Sequence, residues 1–208
     1  MRAFLLGLVA VVSLALSLAW AGDVGSVRDL SDDLKNLRKG RLSLADITLL
    51  DVRIGRDTLD DVQSRFGKAK LFREPPGSVS ADNELCYSSD VPSDETWVIF
   101  GSGPMGGWSH ITQFQVLSRA PQRLACTSSS GVSRAVATQS GIRLGMPLQE
   151  LSAKLGRPTD KGQGFVIFSF TQKSDHPKRP DFEMLSGVMA TITNDRVTSF
   201  RVFLIESN

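Results

Sequence analysis

Apolar residues recur at i, i+3 and i+7 in two short stretches: Leu59, Val62 and Phe66, and later Leu148, Leu151 and Leu155. Each stripe is followed by a glycine, Gly67 or Gly156, so the spacing predicts two short amphipathic helices with glycine ends. Thr58 with Asp61 three residues later resembles a capping box, and Pro147 suits the first turn of the second helix. Helices this short are unstable alone and need a sheet to lie against. Strict alternation supplies it, most clearly in "ITQFQVL" and "VTSFRVF". Strands are predicted near Glu84–Ser88, Thr96–Phe100 and His110–Leu117, and again near Phe165–Thr171, Gly187–Thr193 and Val197–Ile205. A further stripe through Val27, Leu30, Leu34 and Leu37 predicts an N-terminal helix ended by Gly40.

The two sets are ordered alike. Leu59, Val62, Phe66 and Gly67 align with Leu148, Leu151, Leu155 and Gly156 at one constant offset, and "ITQFQV" from Ile111 aligns with "VTSFRV" from Val197. Two blocks in the same order predict a tandem duplication. The expected fold class is therefore α+β: two tandem units, each a short helix packed on a three-stranded antiparallel meander, preceded by an N-terminal helix. The expected boundaries are a signal peptide at 1–21, an N-terminal helical segment at 22–45, the first unit at 46–117, a connector at 118–140 and the second unit at 141–208. The connector is rich in Ser, Thr, Gly and Ala, with a short strand expected at Ala135–Thr138.

The chain opens with one basic residue, Arg2, an unbroken apolar run and Ala19-Trp20-Ala21, the layout of a secretory signal peptide. Cleavage after Ala21 would leave no lipobox cysteine and no transmembrane segment in the mature chain, so a periplasmic or secreted location is expected. The formal net charge of +2 loses one positive charge with Arg2, and no block of like charge follows. Such a balance argues against nucleic acid as a partner. The two cysteines, Cys86 and Cys126, suit an oxidising compartment, and a disulfide between them is expected.

Gly55, Thr58, Val62 and Gly67, then Gly145, Leu151, Gly156 and Pro158, carry a further pattern: glycine, short helix, Gly-x-Ala or Gly-x-Pro, then a meander. It resembles the small α/β unit of the outer-membrane assembly lipoproteins of the SmpA/OmlA type. Doubled in tandem, it is similar to the β-lactamase inhibitor protein architecture, over Asp46 to Glu206. The resemblance implies a non-enzymatic protein-binding fold. The lipoproteins are lipid-anchored single units, and the inhibitors carry a disulfide in each repeat where the second unit here has no cysteine. Neither outer-membrane assembly nor β-lactamase inhibition is carried over.

Catalytic chemistry finds no foothold. Ser109 and His110 are neighbours on an expected strand and point to opposite faces, so they do not form a nucleophile and base pair. Asp175, His176, Asp181 and Glu183 lack metal-ligand spacing, and Asp32-Asp33 and Asp60-Asp61 read as solvated helix faces. Phe165, Phe168, Phe170, Phe200 and Phe203 fit strand packing. Gly101, Gly103 and Gly106 spell G-x-G-x-x-G, but a strand is expected after them where a dinucleotide loop needs a helix. What they mark is an enlarged hairpin loop carrying Met105 and Trp108 as candidate partner contacts. No catalytic residue, metal or cofactor is expected. The expectation is a secreted or periplasmic protein-binding or cell-envelope structural module that meets another envelope or secreted protein. The alternative is a small-ligand binder or hydrolase using a cleft between the units.

Overall fold

The computed structural model describes residues 36–73, 83–103, 107, 109–173 and 182–207. In chain order these form β1 (Arg38–Lys39), β2 (Thr48–Leu49), β3 (Val52–Arg53), α1 (Leu59–Phe66), β4 (Phe72–Arg73), β5 (Asn83–Ser89), β6 (Trp97–Ser102) and β7 (Gln113–Leu117). There follow β8 (Thr127–Ser129), α2 (Leu148–Leu155), β9 (Asp160–Gly162), β10 (Phe165–Lys173), β11 (Glu183–Thr193) and β12 (Arg196–Ser207).

Both helices form for local reasons. Thr58 accepts the Asp61 N–H while the Asp61 carboxylate accepts the Thr58 N–H, a closed capping box, and Gly67 ends α1 with its N–H on the Gln63 carbonyl. Pro147 precedes α2 in an extended conformation without a side-chain cap, and Gly156 ends it. The β11–β12 hairpin turns on Asn194 and Asp195, both at positive φ, the backbone that a two-residue hairpin requires.

The α+β expectation of two helix-on-meander units behind an N-terminal helix is overturned. Among the described residues the protein is mostly β: ten strands form one mixed sheet that runs β1-β10-β11-β12-β7-β6-β5-β4, with β8 on β5 and β9 on β10, and β2 pairs with β3 in a separate two-stranded sheet. Strands β7 and β12 pair antiparallel from Gln113↔Phe203 to Leu117↔Ser199, which fuses both halves into one surface. Alternation along a strand sets its two faces but carries no information about which edges meet. Within the expected N-terminal helix, Arg38 and Lys39 are instead a strand lying parallel to β10, and residues 27–35 lie outside the described residues. The expected signal peptide lies outside them too.

One face of the sheet builds the core. Tyr87, Phe100, Phe114, Phe168, Phe200 and Val202, all at most 1% exposed, join Leu59 and Val62 of α1 and Leu151 and Leu155 of α2 in one cluster. Equivalent backbone contacts hold each helix entry to the sheet. Gly55 N–H meets the Ile111 carbonyl and Gly145 N–H the Val197 carbonyl, both at 2.8 Å. Leu59 N–H meets the Ser109 carbonyl at 2.9 Å and Leu148 N–H that of Asp195 at 3.0 Å, while the Asp57 and Met146 carbonyls accept from Ile111 and Val197.

Candidate functional site

Residues paired in register share a face, so the ladders define what the side opposite the helices presents. One row reads Ser88, Trp97, Leu117, Ser199, Thr191 and Phe165. The next reads Cys86, Ile99, Gln115, Arg201, Met189 and Ile167. In these rows Trp97, Leu117, Phe165, Met189, Gln115 and Arg201 are half-buried, whereas Ile99 and Ile167 are buried outside the helix-side core cluster. An aromatic and aliphatic surface therefore surrounds one guanidinium near the β7–β12 junction.

Two glycines make room for side chains on this face. A Cβ on Gly187 would sit 2.5 Å from the Phe203 ring, which lies across β11, and a Cβ on Gly101 would sit 2.7 Å from the Gln113 amide nitrogen. Gly101 thus belongs to strand β6 and makes room for Gln113, whose Oε1 accepts from the Arg201 Nε. The first glycine of the G-x-G-x-x-G match is explained by sheet packing. Of the five phenylalanines assigned to strands, Phe168, Phe170 and Phe200 point to the core, and Phe165 and Phe203 point to this second face.

Cys86 also points to the second face, and it is bonded to Cys126 with the Cα atoms 4.5 Å apart. The bond fastens the segment after β7 to β5, immediately ahead of β8. Met105 and Trp108, the candidate contacts chosen from sequence, lie outside the described residues. They fall between β6 and β7, two strands of this same face.

A dense electrostatic arrangement lies at the entry to α1. The buried Asp57 carboxylate accepts the Arg53 N–H at 2.8 Å and both Nε and Nη2 of Arg56 at 2.8 and 2.7 Å, with Arg65 at 3.9 Å. The Arg56 guanidinium, helped by the Arg53 N–H, holds the Asp57 carboxyl below its ordinary range. Because the folded value lies below the unfolded one, this stabilisation is complete above the unfolded value near 4 and is lost as pH falls through the folded value. Asp61 is lowered in the same sense by the Thr58 hydroxyl. Urea midpoints measured from pH 7 downwards should fall more steeply below pH ~4 for the wild type than for Asp57→Asn. At the matching place in the second half stands buried, apolar Met146, so the ion pair is not repeated there.

A groove of about 380 Å³ lies between residues 50–51 and 131–139, lined by Leu50, Asp51, Ser133, Val136, Ala137 and Gln139 among others. Asp51 is its one ionisable lining residue. His110 is exposed and bridges Thr58, and His176 lies outside the described residues. Among the described residues no group of three His, Cys, Asp or Glu side chains could hold a metal ion. The chain matches no protein-family model, no curated protein and no solved structure.

The signal for the second face was present in the sequence. "FVIFSF" at Phe165–Phe170 is apolar at both parities, the mark of a strand packed on both sides. Which of its two faces meets the helices is decided by strand order.

Proposed function

We propose that this chain is a non-enzymatic protein-binding or cell-envelope structural module of the periplasm or the secreted space, meeting another envelope or secreted protein through the second face of its sheet. The observation that carries this reading is the half-buried group of Trp97, Leu117, Phe165 and Met189 around Gln115 and Arg201. Aromatic, Met and Arg side chains are the types enriched at interface centres, and a continuous sheet holds them without a large ordering cost on binding. The Cys86–Cys126 bond suits an oxidising compartment. Among the described residues no helix is long and apolar enough to cross a membrane. The groove beside Asp51 offers too few convergent polar groups to favour a hydrolase.

A photo-crosslinking residue placed at Gln115, with another at exposed Asp60 on α1 as reference, tests the reading in intact cells. The expected result is one product of defined mass from position 115 and none from position 60. With purified components, Trp97→Ala should weaken that association about tenfold or more. Equal products from both positions, or turnover of a substrate by the homogeneous protein, would overturn it.

A further inference from the structure

The two outer edges of the sheet are built alike. On β5, strand β4 pairs antiparallel at Asn83 and Glu84, and β8 pairs parallel at Tyr87, Ser88 and Ser89. On β10, strand β9 pairs antiparallel at Phe165, Val166 and Ile167, and β1 pairs parallel at Phe170 and Thr171. Strands β4 and β9 each follow the helix of their own half, but the parallel strands are exchanged. β8, which leads into α2, closes the edge of the first meander, and β1, which leads into α1, closes the edge of the second. Thr127 stands to Arg38 as Leu148 stands to Leu59, 89 positions on in both cases.

Their fastenings differ. β8 makes three register pairs, and the residue before it, Cys126, is bonded covalently to Cys86 of β5. β1 makes two register pairs, after which Gly40 N–H donates to the Thr171 carbonyl at 2.9 Å and Leu42 N–H to the Ser186 Oγ at 3.1 Å. Buried Leu42 and the Arg38 side chain add to this hold. The Arg38 guanidinium lies 4.5 Å over the Phe170 ring, and its two terminal nitrogens donate to the Leu155 and Arg157 carbonyls. These carbonyls sit at the C-terminal end of α2, where the helix dipole favours a cation. Gly156 makes the seat: its φ is +82°, and a Cβ there would stand 2.5 Å from the Arg38 Nη1.

We infer that residues 36–42 form a strap that opens as a unit of its own, held shut by Arg38 on the end of α2, whereas its counterpart β8 is locked by the disulfide. Opening leaves β10 paired with β9 and β11 and uncovers its outer edge at Phe170 and Thr171. Unpaired backbone groups on such an edge template pairing with an extended chain. The fold thus carries one releasable sheet edge and one covalently closed edge.

Native-state hydrogen exchange on the full oxidised chain, read at single amides, tests this. In the wild type, the Gly40 and Leu42 amides should exchange through an opening that depends on denaturant less steeply than global unfolding, while β11 and β12 follow global unfolding. Arg38→Ala and Gly156→Ala should each speed exchange at Gly40 and Leu42 by about tenfold or more, leaving the β8 amides unchanged until the disulfide is reduced. Wild-type Gly40 and Leu42 amides that track global unfolding would overturn the strap, as would variants that change nothing or that speed β8 equally. The wild-type measurement stands whether or not the variants fold.

Discussion

Phe200→Ala is expected to lower the unfolding free energy by about 3–5 kcal/mol, the range for truncating a fully buried aromatic. Phe200 is 1% exposed and lies on β12 opposite Val116 of β7, at the ladder that joins the two halves of the sheet. Its ring contributes to the cluster that also takes Phe114, Phe168 and both helices, so little around it can collapse into the space left behind. Urea unfolding followed by circular dichroism checks the size of the loss. Because the sheet is continuous across the junction, the variant should still unfold in one transition. Two separated transitions would show that the halves are stable apart from each other and that the β7–β12 ladder contributes little.

Removing the disulfide should have the next largest effect. Cys86 and Cys126 are 40 positions apart in sequence, and Cys86 is 3% exposed on the second sheet face. Cross-linking a loop of this length constrains the unfolded chain, and Cys86→Ser with Cys126→Ser is expected to cost about 2–4 kcal/mol. The denaturant midpoint of the wild type should fall by a matching amount in reductant, while the double variant should be indifferent to it. A wild type equally stable in both conditions would mean that the β5–β8 pairing and the packing around it hold the connector without the bond.

Much of the local structure was legible. The i, i+3, i+7 stripes at Leu59–Phe66 and Leu148–Leu155 became helices because the apolar face, the Thr58–Asp61 capping box and the two glycine ends agree with one another. The six long strands lie where alternation and β-branched or aromatic residues concentrate. The site was not legible in the same way. Trp97, Gln115, Arg201 and Met189 come from four different strands, and no spacing along the chain brings them together. Met105 and Trp108 drew attention from sequence because an aromatic and a Met sit beside glycines in a loop. Met105 and Trp108 lie outside the described residues, and the surface of the second face depends on strand order.

The sequence by itself determined the two helices, the six long strands, the Asn194-Asp195 turn, and which side chains along each strand share a parity. Those properties depend on neighbours within a few residues, through backbone sterics, capping and the period of apolar positions. Only the tertiary structure decided that β7 pairs with β12, that β1 and β8 are exchanged between the halves, and therefore that one ten-stranded sheet replaces two separate units. Edge pairing joins residues far apart in the chain through backbone groups that every residue carries alike. No residue type along the chain announces its partner.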